Sequence, residues 1–168
     1  MGIAEIIIDR NFEDGLLAYF EKQMSALTEP CVCVLHIESY GGYVYVLEAM
    51  ANIITAKKEQ GFVFVTNVEN YAMSCGFMLF LLGDIKIVSE TAELMYHAAG
   101  VEVWDRLTSA DAKRIYETLA ACDIPMDKII MENTNISPEV FSMLKRNTTF
   151  FNRADLIHLG IMEDAYTF

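Results

Sequence analysis

Three short stretches of this chain carry side chains able to do chemistry. Ser74 sits in Tyr71-Ala72-Met73-Ser74-Cys75-Gly76, at the start of an almost wholly apolar segment. A serine there reads either as a helix N-cap or as a nucleophile, because N–H groups of a first helical turn lack helical acceptors. The Cys75 amide could then hold a developing oxyanion while Ser74 attacks. His97 follows the strand-like Ala92 to Tyr96 and precedes the small residues Ala98-Ala99-Gly100. Taken alone it is a structural histidine or a general base, since imidazole titrates near neutrality and can take a serine proton and return it to a leaving group. The third stretch is Ser39-Tyr40-Gly41-Gly42. Its two glycines permit positive φ and close approach of another backbone, though an ordinary strand-to-helix turn has the same composition.

The elements that must position these residues follow from hydrophobic period. Ile3 to Ile8 predicts a strand, Asn11 to Leu27 a helix stopped by Pro30, Cys31 to Ile37 a second strand, and Val44 to Ala56 an apolar helix. Phe62 to Val68 predicts a third strand and Ala72 to Leu82 a buried helix closed by Gly83; Ile85 to Val88 and Ala92 to Tyr96 are further short strands. From Leu107 onward the pattern is helical in three pieces, Ser109 to Cys122, Met126 to Glu132, and a segment capped by Ser137 with Pro138 in its first turn; Pro125 is expected to break or kink the first join. Alternating strands and helices predict one α/β domain over residues 1–168, with a largely parallel sheet covered on both faces.

Composition excludes several classes. A net charge of −12 with only 12 Lys and Arg, scattered, argues against a nucleic-acid groove. No apolar stretch is long enough for a membrane helix, and the first residues show no signal-peptide pattern, so the expected compartment is the cytoplasm. Cys31, Cys33, Cys75 and Cys122 include no C-x-x-C, and His36, His97 and His158 form no ligand pair with them; neither a metal nor a cofactor is expected. At 54% hydrophobic residues, the chain is expected to place apolar surface in subunit contacts.

In order and spacing, Glu38-Ser39-Tyr40-Gly41-Gly42, Met73-Ser74-Cys75-Gly76 and Met95-Tyr96-His97 resemble the Asn-Ser-Pro-Gly-Gly, Ala-Ser-Met-Gly and Met-Ile-His stretches of the Clp protease proteolytic subunits. Phe150 to Asp155 and Gly160-Ile161 are similar to that family's C-terminal Phe-Leu-Ser-Ala-Pro-Glu and Gly-Leu-Val. The resemblance implies a crotonase-like superhelix of βαβ units with a protruding helical handle, at about residues 108–145. It implies a serine endopeptidase in which Ser74 is the nucleophile, His97 the base, and the Gly42 and Cys75 amides the oxyanion hole. Gly41, Val44 and Gly100 would flank a groove that takes a polypeptide substrate as an added strand. Heptameric rings, alone or paired into a tetradecamer, are implied as well.

The sequence departs from that family at three places. Its third triad member is an aspartate, where this chain has Thr148, with Asn147 beside it; either could orient His97 but neither supplies an anion. Tyr40 and Glu38 replace the proline and asparagine of the glycine turn and change the wall of the groove, with Glu38 expected to face solvent and Ser39 given no chemical role. The chain begins almost at the first strand, so docking to a Clp-type ATPase is not carried over, which points to an autonomous or specialised member such as one encoded by a bacteriophage. Other readings of the same residues are a catalytically silent scaffold or regulatory subunit, a phage head-maturation protease, and a crotonase-fold enzyme acting on acyl-CoA.

Overall fold

The computed structural model describes residues 2–164; Met1 and 165–168, the ends of the expected domain, lie outside the described residues. In chain order the elements are β1 (Ile3–Ile8), α1 (Asp14–Ala26), β2 (Val32–Ile37), α2 (Val44–Glu59), β3 (Val63–Val68), β4 (Tyr71–Met73), α3 (Cys75–Leu81), β5 (Ile85–Val88), β6 (Glu93–Tyr96), α4 (Ser109–Asn133), α5 (Pro138–Leu144), β7 (Thr149–Phe151) and α6 (Arg153–His158). The expected α/β class is met, but the strands divide into two sheets. One is four-stranded and parallel in the order β1-β2-β3-β5. The other is β4-β6-β7, with β4 parallel and β7 antiparallel to β6.

Side-chain period explains what each element buries. In α1, Leu16, Phe20 and Met24 recur every four residues and form its buried stripe; in α2, Val46, Leu47, Met50 and Ile54 do the same. Alternate residues Cys33, Leu35 and Ile37 of β2 and Ile6 and Ile8 of β1 meet these helices. Short α3, every residue of which is buried, fills the space between the sheets and can be apolar all round for that reason. No helix among the described residues is long and apolar enough to cross a membrane.

The opposite face of the four-stranded sheet is largely aliphatic too, apart from Glu5, His36 and Asn67. Register sets Ile3 beside Val32, Val32 beside Val63, and Val65 between Val34 and Ile85, with Ile7 and Ile87 on the same side. Ile3, Ile7 and Ile85 are exposed there. A parallel sheet is ordinarily covered on both faces, so the expected double cover is only half supplied by this chain.

Three local expectations need correction. The helix expected from Ala72 begins only at Cys75, because Tyr71–Met73 is a strand: Met73 N–H donates to Ser39 O and Ser74 N–H to Met95 O, each at 2.8 Å, so these amides are spent on β pairing. An all-apolar run does not reveal its period, which is why the strand was hidden. Pro125 does not divide the helix; α4 runs unbroken for 25 residues through it. Proline there costs about 3 kcal/mol in an isolated helix, but Met126, Ile129 and Ile130 bury the turn that follows and hold it in place. The third correction is one of omission, since β7 and α6 were not foreseen; Asn152 caps α6 by exchanging hydrogen bonds with Asp155. The first half of α4 is largely exposed, including Tyr116, so a helical arm projects from the body within the range expected for the handle.

Candidate active site

Ser74 is the hinge between β4 and α3. It is the one non-glycine residue among those described with a positive φ, at φ 53° and ψ −119°. L-residues avoid this region because Cβ crowds the backbone, and such a conformation persists only where its surroundings impose it. Here both sides impose it. Ser74 N–H is held by Met95 O on the strand side, and Ser74 O accepts from Met78 N at 3.0 Å on the helix side. The side chain is thereby lifted at the sharp turn while the residue stays largely buried. A serine in a strained strand-to-helix turn is the local geometry of a presented nucleophile; an N-cap serine has ordinary extended angles, and Ser74 makes no side-chain cap bond.

The glycine turn packs directly against it. Gly41 has φ 98°, and a Cβ placed there would lie 2.7 Å from Ser74 Cβ, 2.9 Å from Met73 O and 3.0 Å from the Cys75 nitrogen. Only glycine leaves that space open, and the open space borders Ser74 and the Cys75 amide together. Cys75 is the first residue of α3, so its N–H has no helical acceptor. Gly42, at φ 147°, is pinned against Phe12: Phe12 N–H donates to Gly41 O and Tyr43 N–H to Phe12 O, both at 2.8 Å. Ser39, almost fully buried, fixes the turn from behind, its hydroxyl donating to Arg10 O at 2.7 Å and accepting from Gly41 N–H at 3.2 Å. Glu38 is exposed, as expected.

His97 arrives by strand register. Met73 of β4 lies opposite Met95 of β6, so Ser74 and His97 continue from paired strands running the same way. Tyr96, wholly buried and packed near Phe77 and Phe141, anchors the strand end. His97 Nδ1 lies 2.7 Å from Ala98 O. A carbonyl oxygen only accepts, so Nδ1 carries a proton, and in the neutral ring that leaves on Nε2 the lone pair a base requires. His97 and Ser74 are not hydrogen-bonded to each other in this structure. Thr148 is exposed just before β7; extending the pairing of Tyr96 with Thr149 by one step sets it opposite His97. Asn147 instead donates from Nδ2 to Met143 O at 3.2 Å.

The chain matches the family model described as Clp protease over residues 4–167. It belongs to the Clp protease family. No curated protein matches it. The family is one of peptidases whose members typically form oligomeric rings.

Val44, the first residue of α2, borders an open groove of about 460 Å³ whose other wall is α4, including Arg114, Ala121, Cys122 and Pro125. Gly100 is exposed, with open space where its Cβ would be. Tyr40, in the place of the family's proline, stacks on Tyr71 with ring centres 4.4 Å apart, so the aromatic replacement is braced by a partner 31 residues along the chain. Cys75 Sγ–H donates to Gly42 O at 3.3 Å, and burial pushes this thiol up to about 11, which makes it a packing group and not a second nucleophile. Among the described residues there is no cluster of three groups suited to a metal.

Proposed function

We propose that this Clp protease family chain is a serine endopeptidase cleaving polypeptides held as extended strands inside an oligomeric chamber. The observation that carries the reading is the positive-φ turn at Ser74, set against a glycine whose Cβ would fill the space beside the Cys75 amide. Ser74 Oγ attacks the scissile carbonyl carbon and its proton passes to His97 Nε2. The resulting oxyanion is held by the N–H groups of Cys75 and Gly42. Collapse breaks the C–N bond, the amine leaves with the proton from Nε2, and water then releases the acyl group by the same steps in reverse. For this the strand end carrying His97 closes on Ser74 with the Nδ1–H bond to Ala98 O kept; catalytic hydrogen bonds commonly tighten only when substrate is bound. Thr148, opposite His97, is the position from which a third group would act. A substrate side chain occupies the groove between Val44 and α4.

Support for the chamber comes from the uncovered aliphatic face of the four-stranded sheet. Its valines and isoleucines find in a second copy the cover that the chain lacks, and repetition of such a contact closes a ring. A heptameric ring, and a pair of rings joined through α4, are the family's form of that closure.

The test is labelling of purified protein by a fluorophosphonate probe, with the adduct located by mass spectrometry, alongside cleavage of an unstructured polypeptide. Labelling at Ser74 and cleavage, both lost in Ser74→Ala at unchanged oligomer size, are expected. Cleavage that persists in Ser74→Ala overturns the assignment. A second reading, a silent ring subunit, is favoured by the absence of a carboxylate at Thr148 and by the unbonded Ser74 and His97; it predicts assembly without labelling.

A further inference from the structure

A peptidase histidine needs its Nδ1–H held by something that stabilises the imidazolium, and the carboxylate that does this elsewhere has no counterpart at Thr148. In this structure the acceptor of Nδ1–H is Ala98 O. That oxygen belongs to the peptide group joining Ala98 to Ala99, and the N–H of the same peptide group, on Ala99, donates to Asp123 Oδ1 at 3.0 Å. The three groups therefore lie in series: imidazole N–H to carbonyl, then amide N–H to carboxylate. The acid sits on α4, 24 residues from the amide it accepts.

We infer that Asp123 is a positioning residue for His97, acting through the Ala98–Ala99 peptide, so that a carboxylate polarising a peptide group takes the part of the missing triad acid. The inference rests on the serine-peptidase reading for its catalytic consequence, but the hydrogen-bond series itself does not. An anion bonded to the N–H side of a peptide draws electron density toward its carbonyl oxygen and makes that oxygen a stronger acceptor; linked hydrogen bonds strengthen one another in this way. The Asp123 bond also ties down the irregular stretch after His97, where no helix or strand forms until α4.

The surroundings keep Asp123 in place and charged interactions local. Lys145 Nζ lies 3.3 Å from Asp123 and 2.7 Å from Asp127, one cation between two carboxylates, so the cluster retains a negative charge. Burial pulls the Lys145 ammonium down, and the two carboxylates more than offset it, so it remains a cation. Beside them Tyr96, whose phenol is raised well above its ordinary value by burial and then by Asp127 and Asp123, stays a neutral donor. Its Oη and Asp127 Oδ1 are both buried with no hydrogen-bond partner. Lys145 is the C-cap of α5, four residues before β7, so the cluster joins α4 to the end of α5 and, through Tyr96, to β6.

The experiment compares Asp123→Ala, Asp123→Asn and the double variant Asp123→Ala/Thr148→Asp with the parent chain. Readouts are kcat and KM for polypeptide cleavage, fluorophosphonate labelling, and the His97 tautomer from 15N-histidine NMR of the assembled protein. Asp123→Ala is expected to lower kcat at least about tenfold, the effect of a charge-assisted hydrogen bond, with KM within about twofold, and to convert the fixed Nδ1–H tautomer into a mixture. Asparagine, which still accepts from Ala99 but carries no charge, falls between the two. Thr148→Asp restores kcat in the Asp123→Ala background by supplying a direct carboxylate. An unchanged tautomer in Asp123→Ala, or a kcat within twofold of the parent, overturns the inference; should the alanine variant misfold, the asparagine variant decides by the same readouts. If the parent chain neither cleaves nor labels, the peptidase reading fails, while the tautomer comparison still decides whether Asp123 governs His97.

Discussion

Relieving the strain at Ser74 should stabilise this protein while abolishing its chemistry. With φ 53° and ψ −119° the residue occupies a region suited to glycine, and holding a side chain there costs on the order of 1–3 kcal/mol. Ser74→Gly removes that cost but adds about 0.5–1 kcal/mol for the extra freedom of glycine in the unfolded chain, leaving a net gain of up to about 2.5 kcal/mol. Ser74→Ala is the control, because it loses the same hydroxyl and keeps the strained Cβ. In a chain of this size each kcal/mol moves the midpoint by about 2–4 °C, so Ser74→Gly should melt up to about 10 °C above Ser74→Ala, with both inactive. The assay is differential scanning fluorimetry at fixed protein concentration, which holds any contribution from assembly constant. A glycine variant that melts below the alanine variant would refute the claim that the turn stores strain, and with it the main physical argument for Ser74 as a presented nucleophile.

Further outcomes follow from the same geometry. Gly41→Ala forces a Cβ to within 2.7 Å of Ser74 Cβ and 3.0 Å of the Cys75 nitrogen, so cleavage should fall at least about 100-fold, the effect of losing an oxyanion donor, and a variant with near-normal kcat would place the oxyanion elsewhere. Thr148→Asp alone should raise kcat, since it sets a carboxylate opposite His97; a flat result means that His97 is already fully oriented. Burial raises the Cys75 thiol from 9.0 to about 11 and, with the Cys31 thiol as a further cause, the Cys33 thiol to about 12. Iodoacetamide at pH 8 should therefore spare both in the folded protein, because a raised value leaves less thiolate at that pH, and mass spectrometry that finds either alkylated before unfolding would contradict their burial. By the same sign, the stability these neutral thiols contribute is complete below pH 9 and is lost as pH rises through those values. Charge or bulk placed on the uncovered sheet face, as in Ile7→Lys, should reduce the assembly to smaller species in light scattering without lowering the helix content seen by circular dichroism.

Much of this protein is written in residue order. The period-four stripe Leu16, Phe20, Met24 makes α1 whatever surrounds it, and the alternation of Cys33, Leu35 and Ile37 makes β2, because each pattern buries one face only in its own geometry. Ser74, His97 and the paired glycines were legible for a different reason: their chemistry is rare and their spacing matches a family. Long-range partners decided the rest. Tyr71–Met73 became a strand because it pairs with β6 and the Ser39 carbonyl met the Met73 amide, and the Met95 carbonyl on the Ser74 amide helps hold Ser74 in a conformation that no local propensity favours. Pro125 stays inside a helix because the turn after it is buried. Asp123 was one of 24 acidic residues with nothing in its neighbourhood to mark it; only the packing of α4 against the strand end brings its carboxylate to the peptide that holds His97. A hydrogen bond between residues 24 apart depends on the path of the chain between them, and that path is a property of the whole fold.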